Sequence, residues 1–265
     1  MNLLLPGMYM AADSALHRLD PRVKMGIALA LMAISFTAHS VASYALLTAC
    51  VIAVAILSAA PPMALLRTLR AIFWLGCFMF VFRLFTTPGQ PLVVVGQLTM
   101  TWEGLLAGAT QIYRLCLLVV ISALLTFTTS PTQLAHGLEA VFKPLTRIGL
   151  PVREFVLVLT IALRFAPVML EEIDKISKAQ QARGVDMYSR NPLRQMQSWS
   201  PLFVPIFVAA FRRAEELSTA MESRGFRGTQ YRTRLYQLRL SRRDLLAALI
   251  TLAFSLALLG LERVI

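Results

Sequence analysis

What most limits this chain is a set of long, nearly uncharged apolar runs, at residues 23–38, 41–59, 71–87, 104–128 and 245–261. A helix needs about 20 such residues to cross the hydrocarbon of a bilayer, where every backbone polar group must be bonded internally. The composition agrees. Of 265 residues, 57% are hydrophobic and 15% are charged, whereas a soluble domain carries about a quarter charged residues. The expected fold is an all-α polytopic membrane protein with about five transmembrane helices. Only "HS" separates the first two runs, which predicts a tight helical hairpin. The stretch "PLVVVGQLTM" reads equally well as a strand-like loop or as an interfacial segment.

Charge orients these spans. The chain carries a net +12, and residues 141–243 hold 18 of the 26 Lys and Arg against 8 of the 14 acids, so that +10 falls there. Basic loops stay on the cytoplasmic side. Arg18, Arg22 and Lys24 before the first span, and Arg67 and Arg70 between the second and third, place the N-terminus inside. "TPGQPLVVVGQLTMTWEG" has no basic residue and falls outside. The start of the chain lacks the basic, apolar and small-residue pattern of a signal peptide, so it is expected to be retained. Residues 153–170 are apolar enough to span, apart from Arg164. Spanning would put the basic region outside, so this segment is read as a buried or interfacial helix. It continues to Arg183 as one helix about 46 Å long at 1.5 Å per residue, with Pro167 inside it. A second polar helix is expected over residues 201–224, with Pro201 and Pro205 at its start. Helical rows at Leu159, Leu163, Ala166, Leu170 and Ile173, and at Phe203, Phe207, Ala210, Ala214, Leu217 and Met221, suit packing of one long helix across another. The domain reading is four spans over 1–129, a cytoplasmic module over 130–243 and a last span over 244–265.

Catalytic motifs are missing. No glycine precedes a lysine, so there is no phosphate loop, and HExxH, GxSxG and paired-cysteine patterns are absent. His17, His39 and His136 lie far apart and read as local capping or packing groups. Cys50, Cys77 and Cys116 sit in apolar runs without metal-ligand spacing. The chain is therefore read as no enzyme, with no cofactor and no metal. Nucleic acid is a poor partner, since "SRGFRG" holds only two Arg-Gly pairs and no longer repeat. Arg83, Arg114 and Arg164 are the costly charges near or within the spans. Arg83 can snorkel outward, while the other two require protein or water around them.

The module carries one duplication. "SKAQQARG" (residues 177–184) and "STAMESRG" (residues 218–225) align as S-x-A-x-x-[A/S]-R-G, 41 residues apart. A glycine after an arginine in the last turn is good helix-ending chemistry. That account alone does not explain the repeat, nor the small residues Ala182 and Ser223 ahead of each arginine. A slim tip bearing a five-donor fork suits docking into a cleft with a carboxylate at its base.

With these residues, "LHRLDPRVKM", "SPTQLAHGLE", "PLTRIGLP", "ALRFAPVMLEEIDKISKAQQARG" and "RRAEELSTAMESRGF", the chain resembles the transmembrane T component of energy-coupling factor transporters. The resemblance covers most of the chain and is densest over residues 130–228. It implies that the two helices are coupling helices docking into grooves of two ABC-type ATPase subunits. Ala182, Arg183 and Gly184 match the first family motif. Ser223, Arg224 and Gly225 match the second, with serine in place of the commoner alanine. It also implies a membrane-embedded substrate-binding S component for a vitamin or a transition-metal ion, and a bacterial or archaeal cell membrane. The alternatives from other classes are a conventional ABC importer permease, which would carry a single cytoplasmic coupling loop, and a membrane scaffold without a transport role.

Overall fold

The computed structural model describes residues 14, 16–38, 40–95, 98–185, 192–228 and 240–264. His39, one of the histidines considered above, lies outside the described residues. Among the described residues, eight α-helices follow in chain order: α1 (Pro21–Thr37), α2 (Val41–Leu57), α3 (Pro62–Thr86), α4 (Trp102–Thr128), α5 (Pro131–Phe142), α6 (Val152–Ala182), α7 (Pro192–Ser223) and α8 (Arg242–Val264). Between α3 and α4, β1 (Pro91–Val95) and β2 (Leu98–Thr101) pair antiparallel, so the ambiguous stretch is a hairpin. The chain forms two compact units, Met1–Val141 with Leu238–Ile265, and Phe142–Gln237.

In the first unit, α3, α4 and α8 are long and apolar enough to cross a membrane, and α2 is a shorter apolar helix. At 1.5 Å per residue, the 17 residues of α1 and of α2 reach about 26 Å, against about 40 Å for the 27 of α4. Ala28, Leu31, Ile34, Leu47, Val51, Leu117, Ile121, Leu124 and Leu258 form its core, drawn from α1, α2, α4 and α8. Apolar side chains also cover the outside; Trp74 on α3 is 80% exposed. A lipid solvent does not penalise that arrangement.

Helices α3 and α4 approach through "GLLAG". A Cβ on Gly104 would sit 2.8 Å from the carbonyl oxygen of Leu84, and one on Gly108 would sit 2.7 Å from the ring of Phe80. Small residues four apart let two helix backbones meet where lipid gives no hydrophobic drive for association. Thr101 caps α4 by accepting from the Gly104 N–H at 3.0 Å, and donates to the Thr87 carbonyl at 2.8 Å. Glu103 accepts from the Gln90 N–H at 2.7 Å, closing the turn that leads into the hairpin.

Polar ties brace the first unit at two levels. Near the start of α1, Asp20 (7% exposed), Lys24 (5%) and Asp244 (2%) are buried together. The Asp20 N–H donates to Asp244 Oδ1 at 2.8 Å, and Lys24 Nζ donates to the carbonyls of Thr128 at 2.9 Å and His17 at 3.2 Å. Asp20 also caps α1, accepting from the Arg22 N–H at 2.9 Å. Asp244 accepts from the Ser241 N–H at 2.7 Å and donates its own N–H to Ser241 Oγ at 3.4 Å, a reciprocal cap on α8. At the other level, Arg114 donates to the Ala38 carbonyl and to the Tyr44 hydroxyl, both at 3.1 Å, and stands 5.6 Å from the Phe36 ring centre. Tyr113 donates to the Tyr44 carbonyl at 3.0 Å and meets Thr48 through their hydroxyls. Glu262 accepts from the Ser40 N–H at 2.9 Å. Arg114 is thus a bracing residue for the α1–α2 hairpin, which answers for its cost.

The second unit holds a short 3₁₀ turn (Lys143–Ile148) followed by α6 and α7, which pack on each other. Helix α6 runs unbroken for 31 residues with Pro167 inside, as expected. Helix α7 begins nine residues earlier than expected, at Pro192, so Pro201 and Pro205 are internal. A proline at the first helical position already sits at Pro192, and each internal proline forfeits only one i→i−4 bond. The residues turned inward also differ. Val156 and Leu202 are buried, whereas Leu170, Phe203 and Phe207 are largely exposed. Residues 202–208 are apolar on nearly every face, so a heptad drawn through them has no unique phase.

Candidate docking site at two helix ends

The two repeats end their helices by the same backbone device. In α6, Arg183 is the C-cap with φ −83°, and Gly184 takes φ +91°. The Gly184 N–H donates to the Gln181 carbonyl at 2.9 Å, and the Val185 N–H to Gln180 at 3.1 Å. At the end of α7, Gly225 takes φ +74°; its N–H donates to Glu222 at 2.9 Å and the Phe226 N–H to Met221 at 3.0 Å. These paired bonds, from the glycine and from the residue after it, are a Schellman motif, formed twice. The left-handed glycine is what both require. A Cβ at either position meets nothing within 4 Å, so the need for glycine there is conformational and not a matter of space.

The side chains around each tip are small or turned aside. Ala182 and Ala220 are exposed. Ser223 donates its hydroxyl to the Ala220 carbonyl at 3.0 Å, so its one donor is consumed by its own helix and the site presents little more than an alanine would. Arg183 and Arg224 are exposed. Among the described residues, neither guanidinium has a hydrogen bond or ion pair. Acids upstream are partly engaged within their own helices: Lys178 meets Asp174 at 2.6 Å, Lys175 meets Glu172 at 3.8 Å and Arg213 meets Glu216 at 3.7 Å. Such exposed pairs add little stability. They do leave each arginine as the cation at the end of a locally neutralised helix.

All six residues singled out by the repeat, Ala182, Arg183, Gly184, Ser223, Arg224 and Gly225, therefore lie in the second unit at two equivalent tips. Arg164 is exposed on α6, and Arg83 is exposed in the last turn of α3. Sequence reasoning missed the buried Asp20, Lys24 and Asp244 cluster. Its only signal was an Asp-Pro start to α1 with a lysine four residues after the Asp, and a Ser-x-x-Asp start to α8, 224 residues apart. Nothing in either segment announces the other.

Known proteins resemble the chain along nearly its whole length. The CbiQ family, described as cobalt transport protein, matches residues 12–236. The chain is 44% identical over 245 residues to the "Energy-coupling factor transporter transmembrane protein EcfT" of Thermosediminibacter oceani, covering 92% of each chain. It is 40% identical over 247 residues to the protein of that name from Acidaminococcus fermentans, covering 93% of this chain and 92% of the relative. Against the Bacillus subtilis protein of that name it is 39% identical over 256 residues, covering 96% and 97%. With a mainly helical fold, several membrane-length apolar helices and this extent of identity, the chain belongs to the CbiQ family of energy-coupling factor transporter transmembrane proteins.

Proposed function

We propose that this chain is the mechanical link of an energy-coupling factor importer, joining two ABC-type ATPase subunits to a membrane-embedded S component. The observation that carries the reading is the doubled tip. Two helices of one unit end in the same Schellman geometry, each with an exposed arginine that has no partner among the described residues. A pair of equivalent plugs suits a pair of equivalent sockets, as a dimeric ATPase offers. In this reading Arg183 and Arg224 reach socket carboxylates, Gly184 and Gly225 end the helices sharply, and Ala182 and Ser223 keep the tips slim.

The relatives' printed name assigns them to energy-coupling factor transporters, which supports the partners. The exposed apolar residues of α6 and α7, among them Phe155, Val158, Phe203, Phe207 and Phe211, support a greasy neighbour for the same unit. A membrane-embedded S component supplies one. ATP binding closes the ATPase dimer and moves the sockets together. The helices ending at Arg183 and Arg224 then tilt or slide, and the S component reorients. The chain itself hydrolyses nothing. Its cargo is a vitamin or a transition-metal ion, cobalt being the ion in the family description. The N-terminus and the module 130–243 face the cytoplasm of a bacterial or archaeal cell.

The deciding experiment reverses charge at the tips. Arg183→Glu and Arg224→Glu should each weaken ATPase association by about 2–5 kcal/mol, the cost of leaving a docked charge unpaired. The double variant should insert normally and lose ATP-driven uptake. Unchanged co-purification and uptake in the double variant would reduce both tips to ordinary helix ends.

A further inference from the structure

The second unit is entered and left through two short segments of the first. The chain leaves at the end of α5, between Val141 and Phe142, and returns at Leu238, three residues before Ser241 at the start of α8. The connections that lead to these crossings, α5 beyond Thr128 and the segment before α8, are rooted at one buried polar cluster. Lys24 Nζ binds the Thr128 carbonyl at 2.9 Å, and Asp244, bonded to Ser241, binds the Asp20 N–H at 2.8 Å. The carboxylates of Asp244 and Asp20 supply the counter-charge for Lys24. Helix α1 thus carries both contacts on residues 20 and 24, one turn apart. From these contacts we infer that the Asp20–Lys24–Asp244 cluster is the anchor that fixes the end of α4 and the start of α8, the roots of both connections, to the membrane frame, and that Lys24 and Asp244 are positioning residues for coupling.

Directional bonds to a charged group do what apolar packing at this point does not. Apolar surfaces in contact can slide by a residue and keep most of their packing. A lysine on two carbonyls, and a carboxylate shared between a helix cap and a distant N–H, hold one register. A coupling device needs a fixed footing, because displacement delivered to a loose root is absorbed there. The tie at the opposite level joins Ser40, the cap of α2, to Glu262 near the other end of α8 and braces the same unit. It is therefore the matched control.

This inference rests on the coupling reading above and is tested on the full transporter: this chain, its ATPase subunits and a vitamin-selective S component, in vesicles with the tritiated vitamin. Lys24→Met and Asp244→Asn should retain ATPase subunits and hydrolysis. Uptake per ATP should fall by about tenfold, equivalent to about 1.4 kcal/mol. Glu262→Gln should leave that ratio within about twofold of wild type, even where its thermal midpoint falls by as much. A merely structural role lowers uptake and hydrolysis together and leaves their ratio unchanged. That result in Lys24→Met or Asp244→Asn overturns the anchor, as does failure of both variants to assemble, which would mark a folding element. If the wild-type complex hydrolyses ATP and takes up no vitamin, the coupling reading falls first and the anchor with it.

Discussion

Serine at position 223 stands where the first tip has alanine, and its hydroxyl points into its own helix, onto the Ala220 carbonyl. An internally satisfied hydroxyl offers a partner neither a free donor nor a bulky obstacle. Ser223→Ala should therefore change ATPase binding by less than about threefold, about 0.7 kcal/mol at 1.4 kcal/mol per tenfold, in a titration of ATPase subunits onto detergent-solubilised chain. The glycines behave differently. Gly184 and Gly225 hold φ of +91° and +74°, and an L side chain in that region costs about 1–2 kcal/mol. Gly184→Ala should speed amide exchange at Gly184 and Val185 by about tenfold, that being about 1.4 kcal/mol; an unchanged rate would mean that the left-handed turn is not required. The glycine, the arginine and the repeat were all legible as letters. The inward turn of the Ser223 hydroxyl was not, because a rotamer choice leaves no mark in a sequence.

At the scale of elements, the sharpest contrast lies among glycines inside helices. Gly104 and Gly108 sit where α3 and α4 touch, and an added Cβ would collide with the Leu84 carbonyl or the Phe80 ring. Gly26 on α1 and Gly260 on α8 have nothing within 4 Å. Gly104→Ala and Gly108→Ala should each destabilise by about 1–3 kcal/mol through overpacking. Gly26→Ala and Gly260→Ala should be neutral or stabilising by up to about 1 kcal/mol, since alanine favours the helix. Thermal unfolding in detergent separates the signs, and destabilisation in all four would remove the close approach as the cause. Helix existence was readable from the apolar runs, and all five expected spans correspond to helices. The phase of packing was not. In residues 202–208 of α7 the chain is apolar on every face, so Leu202 is buried and Phe203 exposed for reasons that only the neighbouring helix supplies.

For the molecule as a whole, the testable issue is which side each end faces. Gln90 lies beside the hairpin and is exposed, as is Thr219 on α7. With Cys50, Cys77 and Cys116 replaced by alanine, Gln90→Cys should react with an impermeant maleimide in intact cells, while Thr219→Cys should react only after the membrane is opened. The reverse pattern would invert the proposed topology. The two-level bracing also carries a prediction in register. Lys24 meets Thr128 and Arg114 meets Ala38, so the stretches 24–38 and 114–128 run side by side in opposite directions. The first twelve residues of α4, about 18 Å at 1.5 Å each, then lie beyond the α1–α2 turn. Spin labels on Trp102 and Val41 should report that separation, and labels found at one depth would contradict it.

The sequence by itself determined the solvent, the places of the apolar helices, the charge asymmetry and the doubled tip. Each depends on local composition or on spacing within a few turns, and such information is carried by neighbouring letters. Only the tertiary structure decided which apolar face is core, how closely α3 meets α4, and that Asp20 and Lys24 share one buried cluster with Asp244 from the far end of the chain. In a chain bathed in lipid, hydrophobicity cannot separate inside from outside, because both are apolar. The few buried charges, whose partners lie 104 and 224 residues away, are what fix the arrangement.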